Sequence, residues 1–244
     1  MRQLSSAELL DIWDSGRYAS PCRRSLLLLS AVCPEESELL AHLPLGSLTK
    51  RLLRLRAALF GPALTCLANC RSCSGTIETT FGVEELLSCE RSATSEPGVL
   101  HSLTYEDCIL EFRLPTAKDL ITLEAGKTLA PLALADRLIS KSVHNGESIS
   151  IQELTPGAIE AIEVQITELD PLAHIELTLS CPDCGNNWHE TLHVIDFLWL
   201  EIGNLAKRLF VEIARLASAF GWSEREILAL TPERRRSYLE LLGV

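Results

Sequence analysis

Apolar positions recur at helical spacing over most of the chain and switch to strand spacing in a few short stretches. Leu48, Leu52, Leu55 and Leu59 stand four, three and four residues apart, with Lys50, Arg51, Arg54 and Arg56 mostly on the other faces. That pattern predicts an amphipathic helix over 47–60, ended by Gly61-Pro62, with the cations on a solvated surface. Upstream, Ser5 or Ser6 can cap a helix through Leu9, Leu10, Ile12 and Trp13, with Gly16 past its end. Pro21 precedes a second apolar segment at Leu26–Leu29, which Pro34 stops.

The middle alternates between periods. Thr76–Phe81 and Cys108–Leu114 read as strands, and residues 90–104 carry no period and read as an exposed loop. Thr116 caps a helix from Ala117, and 127–143 continues as helix, kinked or restarted at Pro131. Asn145-Gly146 marks a turn, and Thr155-Pro156 opens a helix to about Leu169. From His174 to Ser180, Ile175, Leu177 and Leu179 alternate with polar partners, predicting a half-buried strand. A turn over 181–187, a second strand, and a long helix from about Asp196 to Phe220 follow. Ser223 with Glu226 forms a capping box, and Thr231-Pro232 begins the last helix.

Two CxxC pairs carry the candidate chemistry: Cys70-Arg71-Ser72-Cys73 and Cys181-Pro182-Asp183-Cys184. A CxxC turn aims both sulfurs at one ion, and two such knuckles complete a tetrahedral four-thiolate zinc site. The 107 residues between Cys73 and Cys181 exceed the spacing of a compact ribbon, so the pairing rests on stoichiometry. Cys66 is a substitute ligand for the first knuckle, while Cys22, Cys33, Cys89 and Cys108 read as small core residues. A weak repeat supports the pairing. Sliding Cys73 onto Cys184 aligns Ile77 with Trp188, Phe81 with Leu192, Val83 with Val194 and Glu85 with Asp196.

The second copy also contains His189-Glu190-Thr191-Leu192-His193, a literal HExxH. On a helix this would seat a catalytic zinc, with Glu212 a candidate third ligand downstream. Here it falls on the predicted return strand, where the two histidines stand about 13 Å apart and share no ion. Gly126-Lys127-Thr128 imitates the end of a phosphate loop, but Ile121 occupies the required glycine position.

Composition narrows the classes. The 22 Lys and Arg against 33 Asp and Glu give a net charge of −11, against a grip on nucleic-acid backbones or an anionic membrane surface. The most apolar run, Leu26–Cys33, is broken by Ser30 and falls short of the roughly 20 residues of a membrane span. The start, MRQLSSAELLD, lacks a signal-peptide pattern, and nine cysteines are an odd number. A reducing cytoplasm is the expected location.

The segments LLDIWDSGRYASPCRRSLLLLSAVCPE, LPLGSLTKRLLRLRAALFGPALTCLANCRSC, RLPTAKDL, LTLSCPDCGNNW, and FLWLEI followed by GWSEREILALTPERRRSYLELLG occur in this order. Together they resemble the T-even-phage-type baseplate hub assembly chaperone family, found in tailed phages and in bacterial phage-like contractile injection clusters. The resemblance has proline where this chain has Arg71. It implies a non-enzymatic factor assisting assembly of the baseplate hub or spike, with those proteins as partners. A permanent structural baseplate subunit is the alternative, and a zinc peptidase on 189–193 a further one. The expected fold is α+β: a zinc-ribbon-like β core from the two knuckles, surrounded by helices. The segments are a helical 1–65, a core with a mixed helical insertion over 66–194, and a helical 195–244. The expected metal ligands are Cys70, Cys73, Cys181 and Cys184 around a structural zinc. Trp222, Tyr238 and Arg234–Arg236 are the candidate contact residues.

Overall fold

A computed structural model describes residues 1–88, 96–126 and 131–243. The chain divides into two compact units, one made of Met1–Pro34 with Ile195–Val244, the other of Glu35–Val194.

The first unit is helical. Helix α1 (Ser6–Gly16) starts from Ser5, which forms a reciprocal capping box with Glu8. Helix α2 (Pro21–Val32) has proline in its first turn. Later in the chain, α9 (Val194–Phe220), α10 (Glu224–Ala229) and α11 (Pro232–Leu241) complete the unit. Leu10, Ala206, Leu209, Ile213, Leu216 and Ile227 form its buried centre, with Trp13, Trp222, Tyr238 and Leu239 packed around it. The expected position of Gly16 beyond the first helix is corrected: it is the last helical residue. A Cβ there would stand 2.2 Å from the Trp199 ring, so close packing explains the glycine.

In the second unit, α3 (Ser37–Leu40) and α4 (Leu45–Phe60) precede a hairpin of β1 (Ala63–Asn69) and β2 (Thr76–Gly82). After α5 (Val83–Ser88) comes an antiparallel sheet of β3 (Leu100–Tyr105), β4 (Cys108–Arg113), β5 (Ile139–His144) and β6 (Glu147–Ser148), in that order. Helices α6 (Ala117–Ala125) and α7 (Pro131–Leu138) separate β4 from β5, and α8 (Pro156–Leu169) follows β6. A second hairpin, β7 (Ile175–Ser180) with β8 (Asn187–Leu192), closes the unit. Leu110, Phe112, Ile139, Leu154, Ala158 and Ile162 bury the sheet face and α8 together. The mixed helix-and-strand class therefore holds, with small antiparallel sheets.

Three expectations fail in this unit. Within the loop expected over 90–104, residues 100–104 lie in β3; alternate residues of that strand are only half-buried, which leaves little apolar signal. The helix expected over 127–143 ends at Leu138, because Ile139 and Ser142 are buried on a strand paired with β4. Arg56 is buried, its guanidinium donating to the Gly61 carbonyl at 2.8 Å and to that of Ala63, so it is not one of the solvated cations of α4. The expectations for 90–95, for 127–130 (including Lys127-Thr128) and for Cys89 lie outside the described residues.

Asp119 anchors the insertion. Arg113 donates to both its oxygens at 2.6 and 2.8 Å, and Arg137 adds a bond at 3.2 Å. Burial pushes this carboxyl up, but Arg113 and the hydroxyl and amide of Thr116 outweigh it and hold the group down at about 2.

Candidate metal centre

Each knuckle is the turn of its hairpin. In the first, the Cys70 amide donates to the Gly75 carbonyl at 2.8 Å and the Ser74 amide to the Cys70 carbonyl at 2.9 Å. In the second, Cys181 donates to Asn186 and Gly185 to Cys181, both at 2.9 Å. The two turns superpose in sequence at an offset of 111 residues, which also maps Asn69↔Thr76 onto Ser180↔Asn187 and the start of α5 onto that of α9. The repeat read from the sequence is thus a repeat of structure. Both copies place the residue after their second cysteine in the left-handed region: Gly185 at φ 71° and Ser74 at φ 60°.

The hairpins meet over a small core of Ile77, Leu179 and Trp188 with the buried Cys70 and Cys181. The sulfurs pair crosswise. Cys70 Sγ stands 3.6 Å from Cys184 Sγ, and Cys73 Sγ stands 3.6 Å from Cys181 Sγ. Exchanging the knuckles maps one contact onto the other, so the centre has a local pseudo-twofold. All four sulfurs lie within 4.8 Å of one another.

A tetrahedral ion with metal–sulfur bonds of about 2.3 Å needs sulfurs about 3.8 Å apart. The observed cluster fits that requirement, and these four cysteines could hold a metal ion. Amide donors prepare the first knuckle for anionic sulfur. The Cys73 and Ser72 amides hold the Cys70 thiol down to about 6, against desolvation. At Cys73 the Gly75 amide pulls downward, but the sulfurs of Cys181, Cys184 and Cys70, with desolvation, push the thiol up to about 12.

Cys66 stays out of the cluster: it sits mid-strand in β1 opposite Thr79. Cys22 and Cys33 are half-buried rather than core residues, and Cys108 is buried with its sulfur 3.1 Å from His144 Nδ1. The HExxH lies on β8 and the residue after it, as expected, so its histidines lack the helix that would bring them together. His189 contacts the Thr178 hydroxyl across the hairpin at 3.3 Å. Glu190 accepts a 2.6 Å ion pair from Arg71 of the first knuckle, a partnership between residues 119 apart that no local pattern announces.

The expected contact residues at the C-terminal end divide. Arg235 is 3% exposed and bonds Glu212, the Leu230 carbonyl and Ser6, so it holds the first unit together rather than facing a partner. Trp222 and Tyr238 pack on Phe220 in that core. Arg234 and Arg236 are exposed. Among the described residues, no helix is long and apolar enough to cross a membrane.

No curated protein and no solved structure matches the chain. A family model described as T4 bacteriophage base plate protein matches residues 27–199, a span that includes both hairpins and all four clustered cysteines. The chain belongs to this phage baseplate protein family.

Proposed function

We propose that this protein is a non-enzymatic, cytoplasmic assembly factor for the hub or spike of a contractile-tail baseplate, held together by a structural zinc. Membership of the baseplate family supports a role with other baseplate proteins. The crosswise four-sulfur cluster is the observation that carries the structural side of the reading. Cys70, Cys73, Cys181 and Cys184 would hold the ion, which supplies cohesion between two hairpins that form a small zinc-ribbon-like core. The fully thiol donor set favours zinc over oxygen-seeking cations. Against a peptidase, the HExxH is strand-borne and its glutamate is engaged by Arg71.

A permanent baseplate subunit is the second reading, since the matching family is described simply as a base plate protein. The two part company in the finished particle. An assembly factor is required for particles to form yet absent from purified ones, by deletion and by mass spectrometry of the particle. Stoichiometric presence in intact particles would establish the subunit instead, and normal particles from a deletion strain would refute both.

A further inference from the structure

The thiol centre is symmetric, but what surrounds it is not. Arg71 sits between the cysteines of the first knuckle and reaches Glu190 on the opposite hairpin at 2.6 Å. The 111-residue offset maps Arg71 onto Pro182 and Glu190 onto Thr79, neither of which carries charge. The mirror-image ion pair therefore cannot form. Beyond the sulfurs and the small apolar core, this ion pair joins the hairpins on one side, and the equivalent positions Pro182 and Thr79 cannot repeat it on the other.

We propose that Arg71 and Glu190 form a one-sided electrostatic latch that sets how fast the centre releases its metal, a role resting on the structural-metal reading above. Zinc leaves a four-thiolate site through local opening, in which one sulfur swings away before a competing ligand enters. Opening the first knuckle separates Arg71 from Glu190, so the pair opposes that step and no equivalent pair opposes opening of the second. The two side chains are 66% and 48% exposed, which makes the latch weak and sensitive to ionic strength. Glu190 is thus a positioning residue, and the HExxH match contains it without using it as a base.

The test is zinc transfer from the purified full chain to a colorimetric chelator, followed in time at low and high salt. Arg71→Ala and Glu190→Gln should each retain one zinc per chain and release it roughly two- to five-fold faster than the unaltered protein at low salt. Combining them should add nothing further, Arg71→Lys should restore most of the retention, and His193→Ala should leave the rate unchanged. High salt should bring the unaltered protein toward the variants. Unchanged rates in both single variants, or additive effects in the double, would overturn the latch while bound zinc leaves the structural-metal reading intact. Acceleration by Arg71→Ala alone would also overturn it, placing Arg71 against the thiolates rather than Glu190. Absence of zinc from the unaltered protein would overturn both.

Discussion

The two hairpins solve one problem with different residues. Each turns through a CxxC knuckle with the same backbone bonds and buries its first cysteine while exposing its second. The second knuckle uses Pro182 to stiffen the turn and Gly185 to accept its left-handed residue; the first has Arg71 and Ser74 at those places. Sulfur placement is held in common, and conformational ease is not. The first knuckle tolerates a left-handed serine and a flexible arginine position, and it carries the cross-hairpin ion pair.

The largest break in the comparison comes from the sulfurs. Cys73 and Cys184 are equivalent by the pseudo-twofold, so Cys73→Ser and Cys184→Ser should have matching consequences. A structural zinc contributes about 10–16 kcal/mol in small zinc-finger peptides, against a net domain stability of about 5–15 kcal/mol. Each variant should lose zinc and become protease-sensitive between Glu35 and Val194. Metal analysis and limited proteolysis check this, and retention of zinc by one variant alone would show that the halves are not equivalent.

Acid should separate the hairpins from the inserted sheet. Metal binding expels the proton of Cys73, a thiol near 12, so zinc affinity falls by at least about tenfold for each unit of decreasing pH. Below about 6 the Cys70 thiol is protonated too in the metal-free chain, and the dependence steepens. Asp119 responds in the same direction but only in stronger acid. Its depressed acidity contributes stability fully above its ordinary 3.8, lost as pH falls toward about 2. Zinc titrations from pH 8 to 5 should therefore show steep weakening while circular dichroism of the insertion strands holds. Loss of both signals together would deny the hairpins any independence.

The smallest effect is the most local. A non-glycine residue in the left-handed region costs about 1–2 kcal/mol, partly offset by the greater freedom glycine has when unfolded. Ser74→Gly should stabilise the protein by about 1 kcal/mol and Gly185→Ser should cost about as much. A Cβ at Gly185 would meet nothing within 4 Å, so the cost there is purely conformational. Thermal melts of the zinc-bound protein measure both. Opposite signs confirm that the knuckles share a backbone, and equal signs would break the correspondence.

Elements whose signals are local were readable in the sequence. Thr116 with Asp119, Thr155-Pro156 and Ser223 with Glu226 state where helices begin, because capping is settled within four residues. The long apolar stripe of α9 and the alternation of Ile175, Leu177 and Leu179 fix element type through burial on one face. Strand β1 escaped notice because Ala63, Cys66, Ala68 and Asn69 have little intrinsic strand preference, and only pairing with β2 makes it one. Strand β5 was hidden by continuing directly from the helical residues of α7. In the candidate metal centre, the four cysteines declared themselves by spacing, while the crosswise pairing and the Arg71–Glu190 tie needed the hairpins brought together in space. The burial of Arg235 was equally unreadable, since a triple-arginine run looks like solvent-facing charge until Glu212 and Ser6 arrive from elsewhere.

The interleaving of the two units has a consequence for biosynthesis. The first knuckle leaves the ribosome with two thiols and half a site, and its partner follows only after the 107 residues between Cys73 and Cys181. At about 5–20 residues per second, that wait is on the order of 5–20 s. Residues 1–34 wait longer, because α9, α10 and α11 complete their unit from the far end of the sequence. Neither unit can close before the segments beyond residue 174 have been made. The nascent chain therefore displays unpaired thiols and the apolar faces of α1 and α2 until α9, α10 and α11 have been made.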